Sequence, residues 1–93
     1  MASKCWSISY TAYNKGHYIS GLSKTEAKAA WRDIMINYGT NFNMSAHCHE
    51  AYLERNGKTI CHKNDDYWFL NGEMIACNAV WLREGIDDVI KAI

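Results

Sequence analysis

Polar and apolar residues alternate from the first part of the chain. Trp6, Ile8, Tyr10 and Ala12 interleave with Ser7, Ser9 and Thr11, the period-2 pattern of a strand with one face buried. Asn14-Lys15-Gly16 reads as a turn in which the glycine takes positive φ, and residues 17–20 return as a second strand. The period then becomes helical. Ser23-Lys-Thr-Glu26 is a capping box whose hydroxyl and carboxylate meet the first free amides of a helix. Leu22 and Ala27 stand where a hydrophobic staple would. Ala27, Ala30, Trp31, Ile34 and Tyr38 recur on one helical face, and Gly39 suits a left-handed stop. The spacing predicts a helix over 24–38.

Residues 40–47 read as a connection. Asn56-Gly57 then separates residues 50–55 from 58–63, a strong short-range hairpin signal. A helix over 45–55 stopped by Gly57 is the competing reading, since Glu, Ala, Leu and Arg favour helix. The run Thr59-Ile60-Cys61 needs a neighbouring strand, which favours the hairpin. Asn71-Gly72 separates residues 67–70 from 73–76 in the same way, and Asn64-Asp65-Asp66 links the two hairpins. Residues 77–84 stay open between strand and loop. Ile86, Val89, Ile90 and Ile93 share a helical face, with Asp87 and Asp88 at its positive end and Lys91 near its negative end. So short a helix must dock to persist. The order β-β-α-β-β-β-β-α predicts an α+β fold: an antiparallel sheet with one long helix and one short C-terminal helix on one face, in a single domain over 1–93.

Composition narrows the class. In 93 residues, 48% hydrophobic with twelve aromatics, there is too much apolar material for a disordered chain. No apolar run nears the roughly 18 residues of a membrane span. Ten basic against ten acidic residues, with a pI of 6.9, argue against a chain built to coat nucleic acid or an anionic membrane. The first residues carry no charged-then-apolar leader, Ala2 excludes myristoylation, and Ile-Lys-Ala-Ile is no prenylation box. The expectation is a cytoplasmic protein whose Cys5, Cys48, Cys61 and Cys77 are reduced.

Regular two-residue turns would pair Leu53 with Ile60, Ala51 with His62, His49 with Asn64, Trp68 with Ile75 and Asp66 with Cys77. That register gathers His49, His62, Asp66 and Cys77 on one face at the end of the meander opposite the Asn-Gly turns. Imidazole and thiolate are zinc's preferred ligands. A structural Zn²⁺ held by these four, with Cys48 and Cys61 as substitutes, is therefore an expectation, although no CxxC or HxxxH knuckle supports it. The plain alternative is buried free thiols and surface histidines.

Lys24, Lys28 and Arg32 form a basic stripe on the predicted helix, and Tyr10, Tyr13 and Tyr18 are near enough in sequence to supply stacking rings. Together they suggest a nucleic-acid module, although the solvated side of an amphipathic helix explains the stripe as well. Charge is bipolar: residues 1–46 carry five basic and two acidic groups, residues 47–93 five basic and eight acidic. The acidic half suits docking on a basic partner. Catalysis has little support. Cys48-His49 and Cys61-His62 are sequence neighbours that a strand sends to opposite faces, and no nucleophile elbow, zincin, P-loop or dinucleotide fingerprint occurs. Trp6, Trp31, Trp68 and Ile8 suffice for a small core. Tyr13, Tyr18, Tyr52, Tyr67 and Trp81 are left without an assured inner place, and such rings are enriched in binding hot spots. The expected function is thus a small binding or regulatory protein, of the kind that includes phage inhibitors of host enzymes and nuclease complexes. Its contact residues would be Glu50, Tyr52, Glu54, Asp65, Tyr67 and Trp81. The nucleic-acid reading, through Lys24, Lys28, Arg32, Tyr13 and Tyr18, is the alternative.

Overall fold

A computed structural model describes residues 4–39, 47–64, 67–76 and 79–93. Strands β1 (Trp6–Ala12) and β2 (Lys15–Leu22) precede helix α1 (Lys24–Ile34), which runs on as a π-turn over Met35–Gly39. Strands β3 (Ala51–Arg55), β4 (Lys58–Lys63), β5 (Trp68–Leu70) and β6 (Glu73–Ala76) follow, and helix α2 (Ala79–Ala92) completes the order. The six strands form one antiparallel sheet in the order β2-β1-β3-β4-β5-β6. This is the α+β architecture that the sequence predicts.

The hairpins close as expected at Asn56-Gly57 and Asn71-Gly72, where all four residues have φ between 50° and 83°, as type I′ turns require. The first hairpin differs from expectation. Its turn is Tyr13-Asn14, with φ of 53° and 59°, so Ala12 pairs with Lys15 and Gly16 lies inside β2. The register of the meander also differs. Arg55 pairs with Lys58 and Glu54 with Thr59, but Leu53 then pairs with Cys61, leaving Ile60 as an extra residue. Likewise Phe69 pairs with Met74 while Trp68 pairs with Ala76, leaving Ile75 extra. Each is a β-bulge on the returning strand. Gly21, at φ 70°, sits in a third irregularity, where β2 runs from Ile19 opposite Ile8 to Leu22 opposite Trp6.

The core lies on the helix side of the sheet. Trp6 and Ile8 of β1, Ala51 and Leu53 of β3, Cys61 of β4 and Trp68 of β5 meet Ala27, Trp31, Ile34 and Met35 of the first helical segment, with Ile86 from α2. The capping box is present: Glu26 N donates to Ser23 Oγ (3.2 Å) and Ser23 N to Glu26 Oε1 (3.1 Å). The π-turn packs Gly39 onto Met35, whose Sδ would lie 2.8 Å from any Cβ at position 39. Of residues 77–84, expected to be strand or loop, those from Ala79 onward instead start α2, and 77 and 78 lie outside the described residues. Ala79, Leu82, Arg83 and Glu84 favour helix. Arg32 Nε joins the helices by donating to Asp87 Oδ1 at 2.8 Å. Among the described residues no helix is long and apolar enough to cross a membrane.

A short segment before β3 is fastened from several sides. Cys48 N donates to the Tyr38 carbonyl (3.1 Å) and Cys48 Sγ to the Glu50 carbonyl (3.2 Å). Lys63, wholly buried, donates from Nζ to the Cys48 carbonyl. Thr11 Oγ1 accepts from the amides of His49 (3.1 Å) and Glu50 (3.3 Å), while Thr11 N donates to the Glu50 carbonyl (3.1 Å). Glu50 thereby stands at a fixed place beside β1.

Ser23→Ala should destabilise the protein by about 1 kcal/mol in urea denaturation, the usual effect of losing an N-cap. The Ser23 hydrogen bonds, then Lys4, hold Glu26 below its ordinary pKa of 4.5, and Arg32 holds Asp87 below 3.8. Below those values the unfolded chain binds more protons than the folded one. Stability present above pH 4.5 should therefore decline as pH falls through 4.5, and less so in the Ser23→Ala variant.

Candidate functional site

Both helices pack on one face of the sheet, and no described element covers the opposite face. Cross-strand partners share a face, and the register draws a line across all six strands: Tyr18 opposite Ser9, Ser9 opposite Tyr52, Tyr52 opposite His62, His62 opposite Phe69, and Phe69 opposite Met74. The middle of this ladder is a stack. The Tyr52 and His62 rings lie 4.4 Å apart at 6°, and His62 and Phe69 5.5 Å apart at 17°. Tyr67 approaches Phe69 at 6.3 Å, its strand entry set by Tyr67 N donating to Asn64 Oδ1 at 2.8 Å. The ends are exposed, with Tyr18 at 69% and Met74 at 57%.

Glu50 gives the stack its charge. Tyr52 OH donates to Glu50 Oε1 at 2.7 Å, and the same oxygen lies 3.8 Å from His62 Nε2. That hydrogen bond raises the Tyr52 pKa above 10, helped by burial. Glu54 lies on this face too, opposite Ser7 and Thr59. The described paired positions of the face thus hold Glu54 and no Lys or Arg, with Glu50 just ahead of β3 beside Tyr52. Two grooves of about 340 Å³ each flank the stack, one over β1 between Tyr18 and Tyr52, the other beside His62 and Phe69.

The described members of the expected metal set, His49, His62, Cys48 and Cys61, are not brought together. Among the described residues no group of three or more His, Cys, Asp or Glu could hold a metal ion. The bulge at Ile60 is the reason: it shifts His62 from opposite Ala51 to opposite Tyr52, onto the open face, while Cys61 turns inward. His49 does not pair with Asn64 but lies exposed, edge-on to His47 at 5.1 Å. Cys48 is buried under the fastened segment. Burial pushes the Cys61 thiol up to about 12, away from the thiolate a metal needs. Asp66 and Cys77 lie outside the described residues.

Of the expected contact residues, Glu50, Tyr52 and Glu54 share the open face, with Tyr67 beside it. Asp65 lies outside the described residues, as does the side chain of Trp81 on α2. The nucleic-acid set is divided. Lys24, Lys28 and Arg32 belong to α1, beneath the sheet, and Arg32 is engaged by Asp87. Tyr18 stands on the opposite face, and Tyr13 lies edge-on to Tyr38 at 6.1 Å. Tyr10 is stacked between His17 (4.9 Å) and Tyr38 (6.0 Å). Ser9, His62, Phe69 and Met74 join the candidate surface only through the observed register. Scans against family models, curated proteins and solved structures find no match.

Native-state alkylation should leave Cys48 and Cys61 unmodified at pH 8 and label both after denaturation, read by intact-mass and peptide mass spectrometry. Above pH 9 the unfolded chain loses the Cys61 proton that the folded chain keeps. Stability should therefore fall as pH rises from 9 toward 12.

Proposed function

We propose that this chain is a small, non-enzymatic, cytoplasmic binding protein that acts by protein–protein contact through the open sheet face. The observation that carries this reading is the ladder from Tyr18 to Met74, with its stacked Tyr52, His62 and Phe69 left uncovered by either helix. A contiguous aromatic surface of this kind, half-buried at its centre and exposed at its ends, marks interaction sites, and rigid rings with few rotamers lose little entropy on binding. Glu50 and Glu54 add negative charge without a balancing cation at the paired positions, which favours a basic patch on the partner and faster encounter with it. Bound there, the sheet occludes whatever the partner uses that patch for, as a small inhibitor does. The buried, unbridged thiols of Cys48 and Cys61 suit a reducing compartment.

Nucleic acid is the less favoured partner, because the carboxylates stand where stacked bases would bring phosphates. The test is affinity capture from the native host with the tagged chain, a Tyr52→Ala/Phe69→Ala variant and a Lys24→Ala/Lys28→Ala/Arg32→Ala variant, each checked for folding by circular dichroism. The ladder variant should weaken partner binding by about 30-fold per ring, the effect of a hot-spot loss. The helix variant should bind as the parent does, with nuclease treatment making no difference. Undiminished capture by a folded ladder variant, or nuclease-sensitive capture, overturns the proposal.

A further inference from the structure

Within the open face, the geometry points to a specific subsite: the groove over β1 is a receptor for an arginine side chain of the partner, its guanidinium stacked between Tyr18 and Tyr52 and paired with Glu50. This deepens the docking reading above and rests on it.

The groove is built by register. Tyr18 on β2 and Tyr52 on β3 both face Ser9 of β1, so two rings stand one strand apart on either side of a small residue. Next along the groove, Thr11 lies opposite Gly16, which carries no side chain. Strands two apart are separated by about 9.5 Å, and a flat group in van der Waals contact with both rings needs about 7–8 Å. Tyr18, 69% exposed, has room to lean in and close the difference. Tyr52 is the fixed wall: its ring is stacked on His62 at 4.4 Å and its hydroxyl donates to Glu50 Oε1 at 2.7 Å.

Glu50 lines the same groove, which has a volume of about 340 Å³. Thr11 Oγ1 accepts from its amide and Thr11 N donates to its carbonyl, so the backbone carrying the carboxylate is held before any ligand arrives. Two ring faces and a carboxylate recognise a cation. A planar cation with N–H donors in a fork uses all three elements at once, whereas an ammonium presents only a point charge. That combination selects guanidinium over ammonium and over any neutral planar group.

The test is an NMR titration of the ¹⁵N-labelled full chain with acetyl-Gly-Arg-Gly-amide, and with the same peptide carrying citrulline or lysine in place of arginine. The arginine peptide should move the amides of Ser9, Thr11, Gly16, Tyr18, Glu50 and Tyr52 in a saturable way. The lysine peptide should bind several-fold more weakly and the citrulline peptide should cause no saturable shift. Glu50→Gln keeps an acceptor for Tyr52 and Tyr18→Ala alters an exposed ring. Both should preserve the remaining spectrum, and each should weaken the arginine peptide about tenfold. Absence of saturable shifts in the millimolar range, shifts confined elsewhere, or equal binding of the citrulline or lysine peptide overturns the inference. Partner capture separates the two levels. If a partner is lost with Tyr52→Ala/Phe69→Ala but kept undiminished by Tyr18→Ala and Glu50→Gln, the docking face stands and the arginine site falls. If the ladder variant also keeps it, both fall.

Discussion

The register of the β3–β4 hairpin governs the rest of the sheet, because a strand's side chains alternate between faces and only one face is covered by helices. A regular continuation from the Asn56-Gly57 turn would put His62 opposite Ala51, on the inner face. The extra residue at Ile60 reverses that phase: Cys61 and Lys63 turn inward, and His62 turns outward to meet Tyr52. From there the pairing passes to β5, setting Trp68 against Lys63 and Phe69 against His62. A second extra residue at Ile75 keeps Ala76 opposite Trp68 and Met74 opposite Phe69. One residue in β4 thus decides that indole goes to the core and phenyl to solvent.

The inner face then accepts an unusual member. Lys63 is wholly buried and reaches the Cys48 carbonyl. A buried polar head requires such partners, and the same carbonyl belongs to a residue whose amide is bound by Tyr38 and whose thiol bonds to Glu50. The π-turn matters here because it presents the Tyr38 carbonyl at the end of the helical segment. The chain is therefore tied to the sheet just before β3, and Thr11 fixes Glu50 from the other side. The acidic group beside the aromatic stack owes its position to the core beneath it.

Much of the fold was legible because its signals are local. The capping box at Ser23 and Glu26 and the two Asn-Gly turns act through residues within a few positions of one another, and each forms as read. The bulges were not legible: nothing in Thr59-Ile60-Cys61 distinguishes a regular strand from one with an inserted residue, since the difference is settled by which apolar groups the helices can cover. Tyr13-Asn14 was missed because Gly16 is the more obvious carrier of positive φ. The candidate site was half legible. Glu50, Tyr52, Glu54 and Tyr67 stood out as charge and aromatics without an inner place. Phe69 and His62 needed the register, and the same one-residue shift carries His62 away from the pairing that the zinc grouping assumed.

The open face also bears on why charge balance hides in the total composition. Three of the five cations of the first half, Lys24, Lys28 and Arg32, lie on α1, and Arg32 is engaged by Asp87 across the helix interface. Glu50 and Glu54 stand on the other face of the sheet, whose described paired positions hold no Lys or Arg. A basic side chain approaching Glu50 meets a carboxylate oxygen already holding the Tyr52 hydroxyl, with His62 Nε2 lying 3.8 Å away. That ties the proposed contact to the same stack that the bulge created: the ring against which Tyr52 packs also lies beside the carboxylate that Tyr52 binds.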